Sequence, residues 1–254
     1  MVGLVPVDQQ VMIPEQFQEL RMDFLRHTDG DSDEEGPRHY VNSMGLRAPR
    51  VITYDQEGYE ALRVFLSRFG MQIRPRVSGF YLPELDLGFM LRNHVQLDDD
   101  RLMVHEMLHG TAKVRGYHIQ EGLLQTEYLG FLRRSPSPRG VFWEEGFASM
   151  LEARFASPHY VDPEGMHEVP VDGCRFMVPK KYIPLLRFPA EAVLAGYGLE
   201  LLCNRHSDLE PLLIQSRTAH NSDEIRECIG EPTYEALTDC TDICAALQYV
   251  QALG

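Results

Sequence analysis

The chain has 254 residues and a formal net charge of −14, from 24 basic and 38 acidic side chains. That length supports one sizeable core, and 44% hydrophobic with 24% charged residues is ordinary for a soluble globular protein. So acidic a surface repels nucleic-acid backbones and anionic membranes, and neither is expected as a partner.

The first twenty residues, MVGLVPVDQQVMIPEQFQEL, have no basic region leading into an apolar run, so no secretory signal is expected. No stretch approaches the length of a membrane span. The five cysteines, Cys174, Cys203, Cys228, Cys240 and Cys244, are odd in number and irregular in spacing. They suggest a reducing compartment and a cytoplasmic protein. Residues 28–36, TDGDSDEEG, read as a solvated acidic loop. Asp29, Asp31 and Asp33 alternate as in a calcium loop, but Glu34 stands where that loop needs glycine and Tyr40 where it needs glutamate.

Residues 54–70 predict an amphipathic helix with Tyr59, Leu62, Phe65, Leu66 and Phe69 on one stripe and Gly70 as its stop. Two strands follow within 71–84 and 85–93, joined by a turn at Pro83–Glu84. Residues 97–116 predict a second helix, with Asp98 to Asp100 as caps and first-turn acids and with Gly110 or Gly116 as its end. SPSPRG (135–140) is a loop, 141–156 a helix, and Pro158 to Pro184 an irregular stretch. From Pro189 the chain predicts helices over 190–206, 208–217, 222–230 and 233–253. In the last of these, Cys240 and Cys244, four apart, read as buried apolar thiols, with a metal clip as the alternative. The expected fold class is α+β in one domain, 1–254, with an N-terminal α/β part (1–95), a central pair of helices (96–157) and a helical C-terminal part (158–254).

The chemistry is concentrated in VHEMLHG, residues 104–110. On a helix, His105 and His109 project from one face a turn apart, so both imidazoles can reach one metal ion. Glu106 lies about 100° round the helix, too far for an easy ligand but near enough to touch a metal-bound water. Met103, Val104, Met107 and Leu108 would bury the other faces. This is the arrangement of His-Glu-x-x-His hydrolytic chemistry, with Zn2+ as the cofactor and Glu106 as general base. The alternative is a surface helix that carries two histidines. A metzincin-type third ligand is excluded, because Ala112 and Arg115 stand where that pattern needs glycine and histidine.

A third ligand is expected from FWEEGFASMLE (142–152), where residues 145, 148, 149 and 152 share a helix face and Glu144 points about 100° away. Here the chain resembles the gluzincin clan of zinc metallopeptidases, with the closest local likeness to the aminopeptidase N family. Its members read Trp-Leu-Asn-Glu-Gly-Phe-Ala at this point, with a further glutamate seven residues after the ligand. The resemblance implies a zinc ligand at Glu145 and a second glutamate, Glu152, that holds a ligating histidine. It implies an oxyanion donor at Tyr197 in PAEAVLAGYGLELL, where Gly196 and Gly198 leave backbone room. It also implies an edge strand, Gly88, Phe89 and Met90, that pairs with extended substrate. His118 and Glu121 are alternatives for the third ligand, and His206 and His220 are weaker candidates for the oxyanion donor. Thirty-five residues lie between His109 and Glu145, more than these families use, and the excess is expected to form a loop or short helix. Leu91 stands where the aminopeptidases carry an amine-binding glutamate. The implied function is a zinc-dependent peptidase acting on peptide or protein. The alternative is a catalytically silent or regulatory protein that keeps the site.

Overall fold

A computed structural model describes residues 21–22, 24–25, 35–67, 78–92, 95–112, 115–120, 123–133, 139–171, 173–183, 190–219 and 222–253. The fold is α+β, and the chain divides into two compact units, residues 1–129 and 130–254. Most of the acidic stretch 28–36 lies outside the described residues, as do Phe69, Gly70, residues 71–77 and loop residues 135–138.

The first unit runs α1 (Glu35–Ser43), β1 (Arg50–Tyr54), α2 (Gln56–Ser67), β2 (Gly79–Leu82), β3 (Leu87–Leu91), α3 (Gln96–Gly110), β4 (Arg115–Gln120) and β5 (Leu123–Leu129). Helix α2 starts where Asp55 Oδ1 accepts from Gly58 N at 2.8 Å, a side-chain cap of an orphan donor. Tyr59, Leu62 and Leu66 of the expected stripe are buried. Strands β1, β3 and β2 form a mixed sheet in that order, with β3 parallel to β1 and antiparallel to β2. The β2–β3 turn falls at Pro83–Asp86, as expected, and Tyr81 Oη donates to Asp86 Oδ1 at 2.6 Å. Alternation sends Ile52, Leu87 and Phe89 to one face, where they meet Leu62 and Leu66 of α2. Val51, Gly79 and Gly88 turn to the other face, toward α3.

Two expectations for this unit are corrected. Helix α3 is not capped by its aspartates. Its N-cap is Val95, without a side-chain bond, and Asp98 and Asp99 lie in the first turn, where they still suit the positive helix end. The helix ends at Gly110, while Gly116 lies in β4. Among the described residues, the extra length after His109 contains strands where a loop or short helix was expected. They form an antiparallel hairpin, β4 with β5, paired from Arg115↔Leu129 to Gln120↔Leu123 with a register shift between Gly116 and Tyr117.

The second unit runs β6 (Leu132–Arg133), α4 (Val141–Ala156), β7 (Met166–Val171), β8 (Cys174–Pro179), α5 (Ala190–Arg205), α6 (Leu209–Ala219), α7 (Asp223–Ile229), α8 (Glu231–Asp239) and α9 (Ile243–Ala252). Its core is the pair α4 and α5, each buried on most sides. They cross at glycines. A Cβ on Gly146 would lie 3.0 Å from Ala195 O, and one on Gly196 would lie 2.7 Å from Ser149 Cβ. The stretch expected to be irregular contains the hairpin β7–β8, in register from Met166↔Pro179 to Val171↔Cys174. Its prolines do not prevent pairing, because a two-stranded ribbon has free edges that tolerate a missing N–H. The last expected helix is two. Asp242 Oδ1 accepts from Cys244 N at 2.9 Å and Ala245 N at 3.2 Å, capping α9 and ending continuity with α8. Cys240 therefore follows α8, and only Cys244 is helical.

Candidate metal centre

Helix α3 carries buried residues on nearly every side, among them Met103, Val104, Met107 and Leu108. It is not a surface helix. His105 and His109 stand one turn apart, with ring centroids 4.7 Å apart, planes at 79° and Nε2 atoms 3.1 Å apart. Two imidazoles on one tetrahedral zinc, at about 2.05 Å per bond, would have their nitrogens about 3.3 Å apart. The observed separation is close to that, so the pair fits a shared cation with little movement.

Glu106 is 4% exposed and lies over the sheet, against two glycines. A Cβ on Gly79 would come within 2.8 Å of Glu106 Oε1, and one on Gly88 within 2.8 Å of Val51 Cγ2 and 3.5 Å of Glu106 Cβ. Gly79 therefore leaves room for the carboxylate, and Gly88 for the Val51 side chain. This corrects the substrate-strand reading of Gly88, Phe89 and Met90. Strand β3 is central in its sheet and paired on both sides, and Phe89 and Met90 are fully buried. No edge is left there for a peptide to join.

Sequence reasoning assigned Tyr59 only to the core stripe. Burial raises its phenol pKa, and the Glu106 carboxylate raises it further. Tyr59 thus sits within the field of the candidate base, a relation its helical spacing could not reveal.

In the second unit, α4 carries both glutamates of the Glu-Glu-Gly step. Glu144 is buried and paired with Arg217 of α6, and its Oε2 also accepts from Phe131 N at 3.2 Å. That carboxylate is committed to the interior of its own unit. Glu145 is only partly buried. His105, His109 and Glu145 form a group that could hold a metal ion, each offering one ligand atom, with these atoms within 4.8 Å of one another. Two imidazoles and a carboxylate are a donor set suited to catalytic zinc.

Glu152 is buried on α4, two turns beyond Glu145. Tyr197 is half-buried on α5, its ring 5.9 Å from that of Tyr182. Burial raises its pKa first, and the Glu200 and Glu164 carboxylates add to this against Lys181. The phenol stays protonated at neutral pH, as a hydrogen-bond donor must. The flanking glycines do not give it open space. Gly196 packs on Ser149 and Tyr182, and a Cβ on Gly198 would lie 3.0 Å from Phe142 Cε2. His206 follows α5 and is half-exposed, while His220 and Glu121 lie outside the described residues. Arg217 went unnoticed in the sequence, where nothing marks it as the partner of a residue 73 positions away.

Comparison with family models, curated proteins and solved structures finds no match to this chain.

Proposed function

We propose that this chain is a zinc-dependent peptidase of gluzincin type, with His105, His109 and Glu145 as metal ligands. The observation that carries the reading is the convergence of these three side chains on one potential ion site, beside a glutamate on the same helix as the histidines. Zinc held there would supply a Lewis acid for the scissile carbonyl and an acidified water. Glu106 accepts the proton of the attacking water and delivers it to the leaving amine. Its burial against Gly79 limits the positions its carboxylate can take. Tyr197 donates to the developing oxyanion, and Glu152 orients a ligating histidine. The substrate is a peptide or protein, and the compartment is the cytoplasm.

The test is a peptide-library digest by wild type and Glu106→Gln, with zinc content measured on both. The expected result is one zinc per chain in each, and cleavage reduced about 10²- to 10⁴-fold in the variant. Equal product patterns, or wild type without zinc, would refute the proposal.

A further inference from the structure

We infer that Arg217 is a positioning residue for the metal ligand Glu145, acting through Glu144. The inference rests on the proposed metal site. A buried ion pair contributes little net stability, because desolvating two charges offsets their attraction. Yet this pair is among the most enclosed in its unit, with side chains 0% and 2% exposed. Its surroundings are built to receive it. The guanidinium lies 4.9 Å from the centre of the Phe147 ring and 5.7 Å from that of Phe131. Gly130 provides the remaining space, since a Cβ there would collide with Arg217 Nη1.

What these contacts hold is the first turn of α4. Glu144 and Phe147 lie three residues apart on one side of the helix, and Arg217 engages both. Phe131 N donates to the same Glu144 oxygen and ties in the segment before the helix. Glu145 is the next residue, about 100° round the axis. Fixing the rotation of this turn fixes where the Glu145 carboxylate points. It also keeps Glu144 from turning into the ligand position, so the pair decides which of two adjacent carboxylates faces the metal.

The experiment measures Zn2+ affinity of the full chain by competition with a chromophoric chelator, alongside thermal melting. Two variants are used. Arg217→Lys keeps the charge but loses the planar stack. The double variant Glu144→Leu, Arg217→Met removes both charges and leaves neither alone. Glu145→Gln is the control for the site itself. The expected result is zinc binding weakened about 10- to 100-fold in the folded variants, the range typical of groups that orient a metal ligand. Wild-type zinc affinity in either folded variant overturns the inference, as does loss of folding in both, which would make the pair a general brace. A wild type that binds no zinc, or a Glu145→Gln that binds it normally, points instead to failure of the metal-site reading.

Discussion

Replacing Gly79 by alanine moves the candidate base without touching a proposed ligand. The new Cβ would stand 2.8 Å from Glu106 Oε1 and 2.9 Å from Leu102 Cδ1. Ordinary contact begins near 3.4 Å, so the carboxylate must retreat by about 0.6 Å. Both neighbours are ends of flexible side chains, and the stability cost should stay near about 1 kcal/mol, the low end for overpacking. The effect on chemistry is larger. Misplacing a reacting group by about 1 Å can cost about 10²-fold, so 0.6 Å corresponds to roughly 10-fold in kcat/KM. Zinc affinity should not change, because neither His105 nor His109 is among the nearest atoms to that Cβ. The assay is peptide hydrolysis followed by mass spectrometry, with chelator competition for zinc. An alanine variant with full activity would refute the placement of Glu106 as base. Zinc binding lost in step with activity would show a general collapse of the site.

Three further expectations concern the second unit. Gly196→Ala gains about 1 kcal/mol of helix propensity, but its Cβ would meet Ser149 Cβ at 2.7 Å and Met150 N at 3.0 Å. Overpacking costs about 1–3 kcal/mol, so the melting temperature should fall, and a rise would contradict the close crossing of α4 and α5. Burial pushes the Cys203 thiol up to about 12, whereas Cys174 is exposed. Iodoacetamide near neutral pH should label Cys174 first and Cys203 only after denaturation; equal labelling rates would disprove the burial. The folded-state value lies above the ordinary thiol value of 9.0. The Cys203 contribution to stability is therefore whole below about pH 9 and is lost as pH rises toward about 12. Denaturant midpoints across that range, compared with Cys203→Ala, measure it.

Much of the local structure was legible in the sequence. Residues 141–156 form the expected helix with the expected ends. The turn at Pro83 joins the expected strands, and α2 buries Tyr59, Leu62 and Leu66 of its expected stripe. Where the reading failed, a local signal met a longer-range one. Prolines read as breakers between 158 and 184 lie in or beside a ribbon whose free edges accept them. Asp242 reads as one more helical residue until its side chain caps α9.

The sequence by itself determined the chemistry available on each helix. The spacing of His105 and His109, and the 100° step from Glu144 to Glu145, follow from the helical period alone. Tertiary structure decided what those residues are packed against. Only packing paired Glu144 with Arg217, placed Gly79 against Glu106 and put β3 in the middle of its sheet, so that a strand read as an edge became a buried one. The physical reason is range. Helical period and turn chemistry act over a few residues, whereas sheet order and buried ion pairs join residues many positions apart, which local patterns do not encode.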